Sequence, residues 1–173
     1  LLYPVFFSFF LLLTYSCSEK EDNSPEDLVD GTFTVSISGE ESRSLSGEAS
    51  FVHVLVNSGV PDGSGTSLAL SLYGGDDSED AIVITLTKRE AKLFSAGTYS
   101  YKEDPADNEV FLSVGMFSQL SQGTYIITSG NVKINKVSNN QLEGSLDVSL
   151  TNFNEKNISI SGSFKANGIT QGF

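Results

Sequence analysis

Residues 31–173 predict an all-β domain, and three observations carry that reading. Apolar residues recur at every second position rather than about every 3.6 residues. Clusters of Gly, Asn, Asp, Ser and Pro interrupt these runs at strand-length intervals. Only residues 88–94, Lys-Arg-Glu-Ala-Lys-Leu-Phe, have helical composition, and they suit a short connecting turn better than a domain element. One wet and one buried face per strand is the mark of antiparallel sheets. The pattern fits an antiparallel β-sandwich or an open β-barrel of about nine to ten short strands, and periodicity does not separate the two.

The elements follow in chain order. Phe33, Val35 and Ile37 alternate with Thr and Ser, predicting a first strand. Residues 51–56 are apolar and β-branched around His53. A Gly-rich turn over 59–65 precedes Leu68, Leu70 and Leu72 on one face. A second turn, 74–77, leads to Ile82, Ile84 and Leu86. Residues 110–117, 125–128 and 131–137 are further candidates, with Ser129-Gly130-Asn131 read as a turn between the last two. Asp104-Pro105-Ala106-Asp107-Asn108 and Ser138-Asn139-Asn140 are also turn chemistry.

The clearest alternation comes last. Leu142, Gly144, Leu146, Val148 and Leu150 share a face opposite Glu143, Ser145, Asp147 and Ser149. Ile158, Ile160, Gly162 and Phe164 repeat the pattern after a connection short enough for a hairpin, so the two segments should pair antiparallel. Both contain Gly-Ser before a large apolar residue, at Gly144-Ser145-Leu146 and Gly162-Ser163-Phe164. That echo suggests neighbouring strands whose backbones approach closely at the glycines.

The N-terminal part divides differently. Residues 1–16 are almost wholly apolar and carry no ionisable acid or base, as a cleaved secretory leader requires. The apolar run over 5–13 has the length of a signal-peptide core and falls short of the roughly 20 residues a membrane span needs. The missing basic flank and initiator Met place the expected start upstream. Cys17 follows the leader directly, and the rest of the chain contains no other cysteine, so no internal disulfide forms. Thr14-Tyr15-Ser16-Cys17 resembles the lipobox of bacterial lipoproteins, which implies lipid attachment at Cys17. The acidic stretch 18–27 resembles the segment that directs Bacteroidota lipoproteins to the cell surface, and its charge and Pro25 also suit a solvated tether. The strands over 131–164 are similar to the final strands of small Bacteroidota lipoproteins of unknown function, which implies a fold and no site. The expected organisation is a leader at 1–16, a lipidated Cys17 with an acidic tether to 30, and one β domain at 31–173. The expected location is the bacterial outer membrane, on the cell surface or facing the periplasm.

A net charge of −12 repels nucleic acid and anionic headgroups, which argues against a nucleic-acid partner and leaves protein or glycan partners open. No catalytic residues can be named. His53 is the single histidine and lies within an apolar strand, where a structural role is the ordinary one. One histidine and a cysteine-free body do not supply a zinc set. Asp76, Asp77, Glu79 and Asp80 form an acidic, Gly-flanked cluster that could offer oxygens to Ca²⁺, with Asp104, Asp107 and Glu109 in a second loop. It lacks the EF-hand spacing, and a charged hairpin tip is the simpler reading. Tyr73, Tyr99, Tyr101 and Tyr125 could stack on sugars, but more often such tyrosines bury the ring and wet the hydroxyl.

The leading expectation is a lipid-anchored, non-enzymatic binding or interaction module, without a cofactor. A lipocalin-like carrier of small ligands would need a hollow barrel, and a glycan-acting enzyme would need two facing carboxylates in a cleft.

Overall fold

In a computed structural model of the chain, the described residues are 29–40, 42–56, 64–75, 80–118 and 123–172. The leader, Cys17, most of the tether, and Asp76, Asp77 and Glu79 lie outside them. Among the described residues nine strands make one sheet: β1 (Thr32–Gly39), β2 (Arg43–Val56), β3 (Gly65–Tyr73), β4 (Ala81–Lys88), β5 (Gly97–Ser100), β6 (Phe111–Ser118), β7 (Gly123–Val137), β8 (Gln141–Asn152) and β9 (Asn157–Gly172). The all-β expectation holds, and there is no helix among the described residues. Of the two architectures compatible with the periodicity, the strands adopt the barrel, and its ring is closed.

The ring runs β1-β2-β3-β4-β6-β7-β8-β9 and returns to β1 through antiparallel β1–β9 pairing. β5 stands apart, pairing with the second half of β7 where β6 has diverged. One parallel seam interrupts the antiparallel order. β1 is short, and past its start Asn167–Gly172 of β9 pairs directly with Ser50–Leu55 of β2.

The alternation assigned the faces correctly. Phe33, Val35, Ile37, Leu68, Leu70, Leu72, Ile82, Ile84 and Leu86 all point inward and are buried. β8 and β9 pair antiparallel as expected, with Leu146 opposite Gly162 and Gly144 opposite Phe164. A Cβ on Gly144 would lie 2.6 Å from the Phe164 ring and 2.2 Å from the Lys133 carbonyl oxygen. One on Gly162 would lie 2.3 Å from the Thr34 carbonyl oxygen. The two glycines make room for the ring and for neighbouring backbone.

Two local expectations need correction. Residues 125–128 and 131–137 are one strand, because β7 pairs with β8 continuously and the supposed turn at 129–131 is a β-bulge region. Gly130 adopts φ +113°, and a Cβ there would sit 2.2 Å from the Asp147 carbonyl oxygen, so the glycine lets the strand bend without leaving the sheet. Residues 88–94 form no helical turn. β4 ends at Lys88, and the following bends carry Phe94 back into the barrel.

Candidate functional site

The connections gather at two ends. The upper end holds the close of β2, β4, β7 and β9 and the connections 89–96, 101–110 and 138–140. The lower end holds the close of β1, β3, β6 and β8 and the connections 74–80 and 153–156.

The upper mouth is closed by packing. Residues 89–96 form a strap from which Phe94 inserts between His53 and Tyr99, with ring centroids 5.6 and 5.5 Å away. The Phe94 N–H donates to His53 Nε2 at 3.1 Å, so the buried imidazole is neutral with its proton on Nδ1. Burial, and then the Lys88 ammonium, hold this imidazole below the usual histidine range. Lys88 Nζ stands 5.1 Å from the centroid of the Phe94 ring and 3.4 Å from the Glu90 carboxylate. Thr66 donates its hydroxyl to the Glu90 carbonyl at 2.7 Å, and Tyr99 donates to the Ser95 carbonyl at 2.8 Å. His53 is therefore a structural anchor for the strap, the ordinary role for a lone strand histidine.

The lower mouth is closed by charge. Arg43, at the start of β2, points inward and meets the fully buried Asp80 carboxylate at 2.6 Å. The same guanidinium donates to Ser118 Oγ at 3.1 Å. Of the four carboxylates considered for calcium, Asp80 is thus engaged by an arginine, and the other three lie outside the described residues. Among the described residues no group of three His, Cys, Asp or Glu side chains comes close enough to hold a metal. In the second acidic loop Glu109 accepts from Lys102 and from the Ala106 N–H, while Asp107 pairs with Arg89 at 2.7 Å. The hydrogen bond from Lys102 and that from Ala106 hold the Glu109 carboxyl below the usual range.

Between the mouths the inward side chains of the described residues pack into one apolar core, as eight-stranded barrels of this kind permit. Leu68, Leu70, Ile84, Leu86, Val132, Ile134, Leu142 and Phe164 surround a cavity of ≈ 10 Å³, about the room one water molecule needs. The barrel closes as a lipocalin-like carrier requires, and this one space among the described residues has room for about a water molecule. Of the four tyrosines, Tyr125 is wholly inside, Tyr99 and Tyr101 pack against the core, and Tyr73 is exposed.

The outer wall carries a feature the periodicity did not single out. Side chains facing outward from β3, β4, β6 and β7 near the lower end form two rows. One is Tyr73–Ala81–Phe117–Thr124, and the next is Ser71–Val83–Gly115–Ile126–Thr151, the last residue from β8. Neither row contains a charge. Phe117 is 53% exposed, Ile126 52% and Tyr73 39%, and Phe153, the first residue past β8, is 89% exposed. A smaller exposed pair, Val52 and Ile169, lies on the parallel seam. Outward apolar residues do stand out as breaks in alternation, and Phe117 beside Gly115 was legible in that way.

Cations are unevenly divided between the ends, although the upper end has as many acids to pair with them. Every Lys and Arg in residues 31–173 except Arg43 and Lys156 belongs to the upper half or its connections. The chain enters there too. The Asp30 carboxylate accepts from Gln141 at 2.9 Å and pairs with Lys165 at 3.1 Å, fixing the start of the barrel beside the β7–β8 turn. Comparison with protein-family models, curated proteins and solved structures finds no match for this chain.

Proposed function

We propose that the chain is a lipid-anchored envelope protein, attached through Cys17, whose barrel is a non-enzymatic interaction module working through its outer surface. The observation that supports this reading is the apolar core packed among the described residues, together with a fixed point of chain entry. Asp30 is held beside the β7–β8 turn, so a tether from Cys17 would meet the barrel at the upper end, which supports a reading in which the lower end faces away from the membrane. The Lys and Arg side chains of the upper end offset its acids, several of them in ion pairs, whereas the described residues of the lower end keep an excess of acids, which suits an end held clear of anionic headgroups. A diacylglycerol with an amide-linked chain supplies more than the two acyl chains stable anchoring needs.

The test is made in cells. The wild-type protein should fractionate with membranes and incorporate labelled palmitate, and Cys17→Ala should abolish both and leave the leader uncleaved. Normal maturation of the Ala variant, with soluble wild type in the periplasm or medium, would overturn the anchor. Protease added to intact cells then distinguishes surface display, where the barrel is cut, from a periplasm-facing anchor, where it is protected.

A further inference from the structure

We infer that the uncharged two-row band on the lower outer wall is a docking surface for a cationic, partly apolar segment of another protein. This rests on reading the barrel as an interaction module and adds the surface and the chemistry of its partner. Gly115 lies at the centre of the band and makes a shallow floor, with Val83 and Ile126 on either side in its row and Phe117 in the next. An apolar side chain laid over the glycine would touch all three. Tyr73 ends one row and Phe153 lies two residues past Thr151 at the end of the other, and together the exposed rings and Ile126 present on the order of a few hundred Å² of apolar surface, the size at which patches on monomers are often functional.

Charge selects the occupant. Glu48 pairs across the sheet with Tyr73, and Glu155 lies two residues past Phe153. The two lower-end cations are Arg43, engaged by Asp80, and Lys156 beside Glu155. An anionic bilayer or nucleic acid would be repelled from this end of a chain whose net charge is −12. A second copy brings the same acids, and the band is well below the roughly 800 Å² per partner that a stable interface buries. A segment with lysines or arginines between apolar residues satisfies both the band and its acidic flanks. Phe111, exposed at the upper end of the same β6 face, lies outside the two rows and serves as a control.

The experiment titrates the detergent-solubilised full chain with a short fluorescent peptide alternating lysine and leucine, read by anisotropy. Two comparison peptides alternate glutamate with leucine and lysine with serine. The expected result is saturable binding of the lysine–leucine peptide that weakens with salt, falls at least about tenfold in Phe117→Ser and in Ile126→Thr, and is unchanged in Phe111→Ser. Both replacements lie on the wet face, and unchanged melting of the variants confirms that the fold is retained. Equal binding by both variants, by the glutamate peptide or by the lysine–serine peptide overturns the assignment. So does binding of a gluco-oligosaccharide that the same two variants lose, which would make the band a glycan platform. None of these outcomes bears on Cys17, whose lipidation is decided by the fractionation, processing and palmitate labelling of the wild type and Cys17→Ala.

Discussion

The two mouths of the barrel solve the same problem with opposite chemistry. Above, the strap brings an aromatic ring into contact with an imidazole and a phenol, and the polar tips are satisfied by backbone groups of the strap itself. Below, an arginine and a fully buried aspartate face each other across the opening. A packed plug gains by removing apolar surface from water, and its parts can be trimmed one by one. A buried ion pair gains little in net stability, yet removing one partner leaves an uncompensated charge. The upper closure should therefore yield gradually and the lower one abruptly.

The largest expected effect tests that contrast. Asp80→Ala, which strands Arg43, should cost about 3–5 kcal/mol in denaturant unfolding, whereas Arg43→Met with Asp80→Leu should be near neutral or stabilising. If the double variant is as unstable as the single, the pair contributes net stability and the contrast fails.

Next in size, Phe94→Ala should cost about 3 kcal/mol, the low end for a buried phenylalanine because the strap can settle into the space. Proteolysis should then begin within 89–96. A lower mouth that becomes sensitive at the same time would show that the two ends are coupled.

A smaller effect sharpens the description of the upper mouth. His53 has a folded pKa below its unfolded value, so the unfolded chain binds the proton more readily. Stability is full above about pH 6.5 and declines as pH falls below it toward the folded value. Protonation removes the acceptor for the Phe94 N–H, worth about 1 kcal/mol, and places a cation near Lys88, with Glu90 the nearby acid. Melting curves should show this decline in wild type and a flatter profile in His53→Gln, whose amide oxygen can accept without titrating. A flat wild-type profile would remove His53 from the closure. At the bottom of the scale, Glu109→Gln should leave the melting curve unmoved, since that carboxylate sits in solvent.

What could be read from the sequence follows from where the side-chain signal is strong. Strands whose inward residues are mostly large and apolar, as in β3, β4 and β8, were placed on the correct face. The first half of β2 was missed because Ser44, Ser46, Gly47 and Ser50 dilute its inward residues Leu45 and Ala49. The second half of β9 was missed for a related reason, since residues 165–172 contain a single large aliphatic, Ile169, and their pairing with β2 depends on where β1 starts. Gly130 reads as a turn because a positive φ is needed in turns and bulges alike, and only the pairing with β8 tells them apart. Arg43 and Asp80 lie far apart in sequence, and nothing local marks them as partners. The outer band was partly legible, because Phe111 and Phe117 break the alternation of β6, but only the register brings Ile126 and Tyr73 into line with Phe117.

The claim on which the functional reading depends is that the barrel works from its outer wall and not from its interior. Methyl NMR of the Ile-, Leu- and Val-labelled full chain tests it directly, with palmitate added to one sample and the lysine–leucine peptide to another. A filled barrel with an outer docking band predicts that the peptide shifts Ile126 and Val83, while Leu70, Ile84 and Leu142 stay in place with either addition. Movement of Leu70, Ile84 and Leu142 on adding palmitate, with Ile126 and Val83 unmoved by the peptide, would show an interior that opens to cargo and would contradict it.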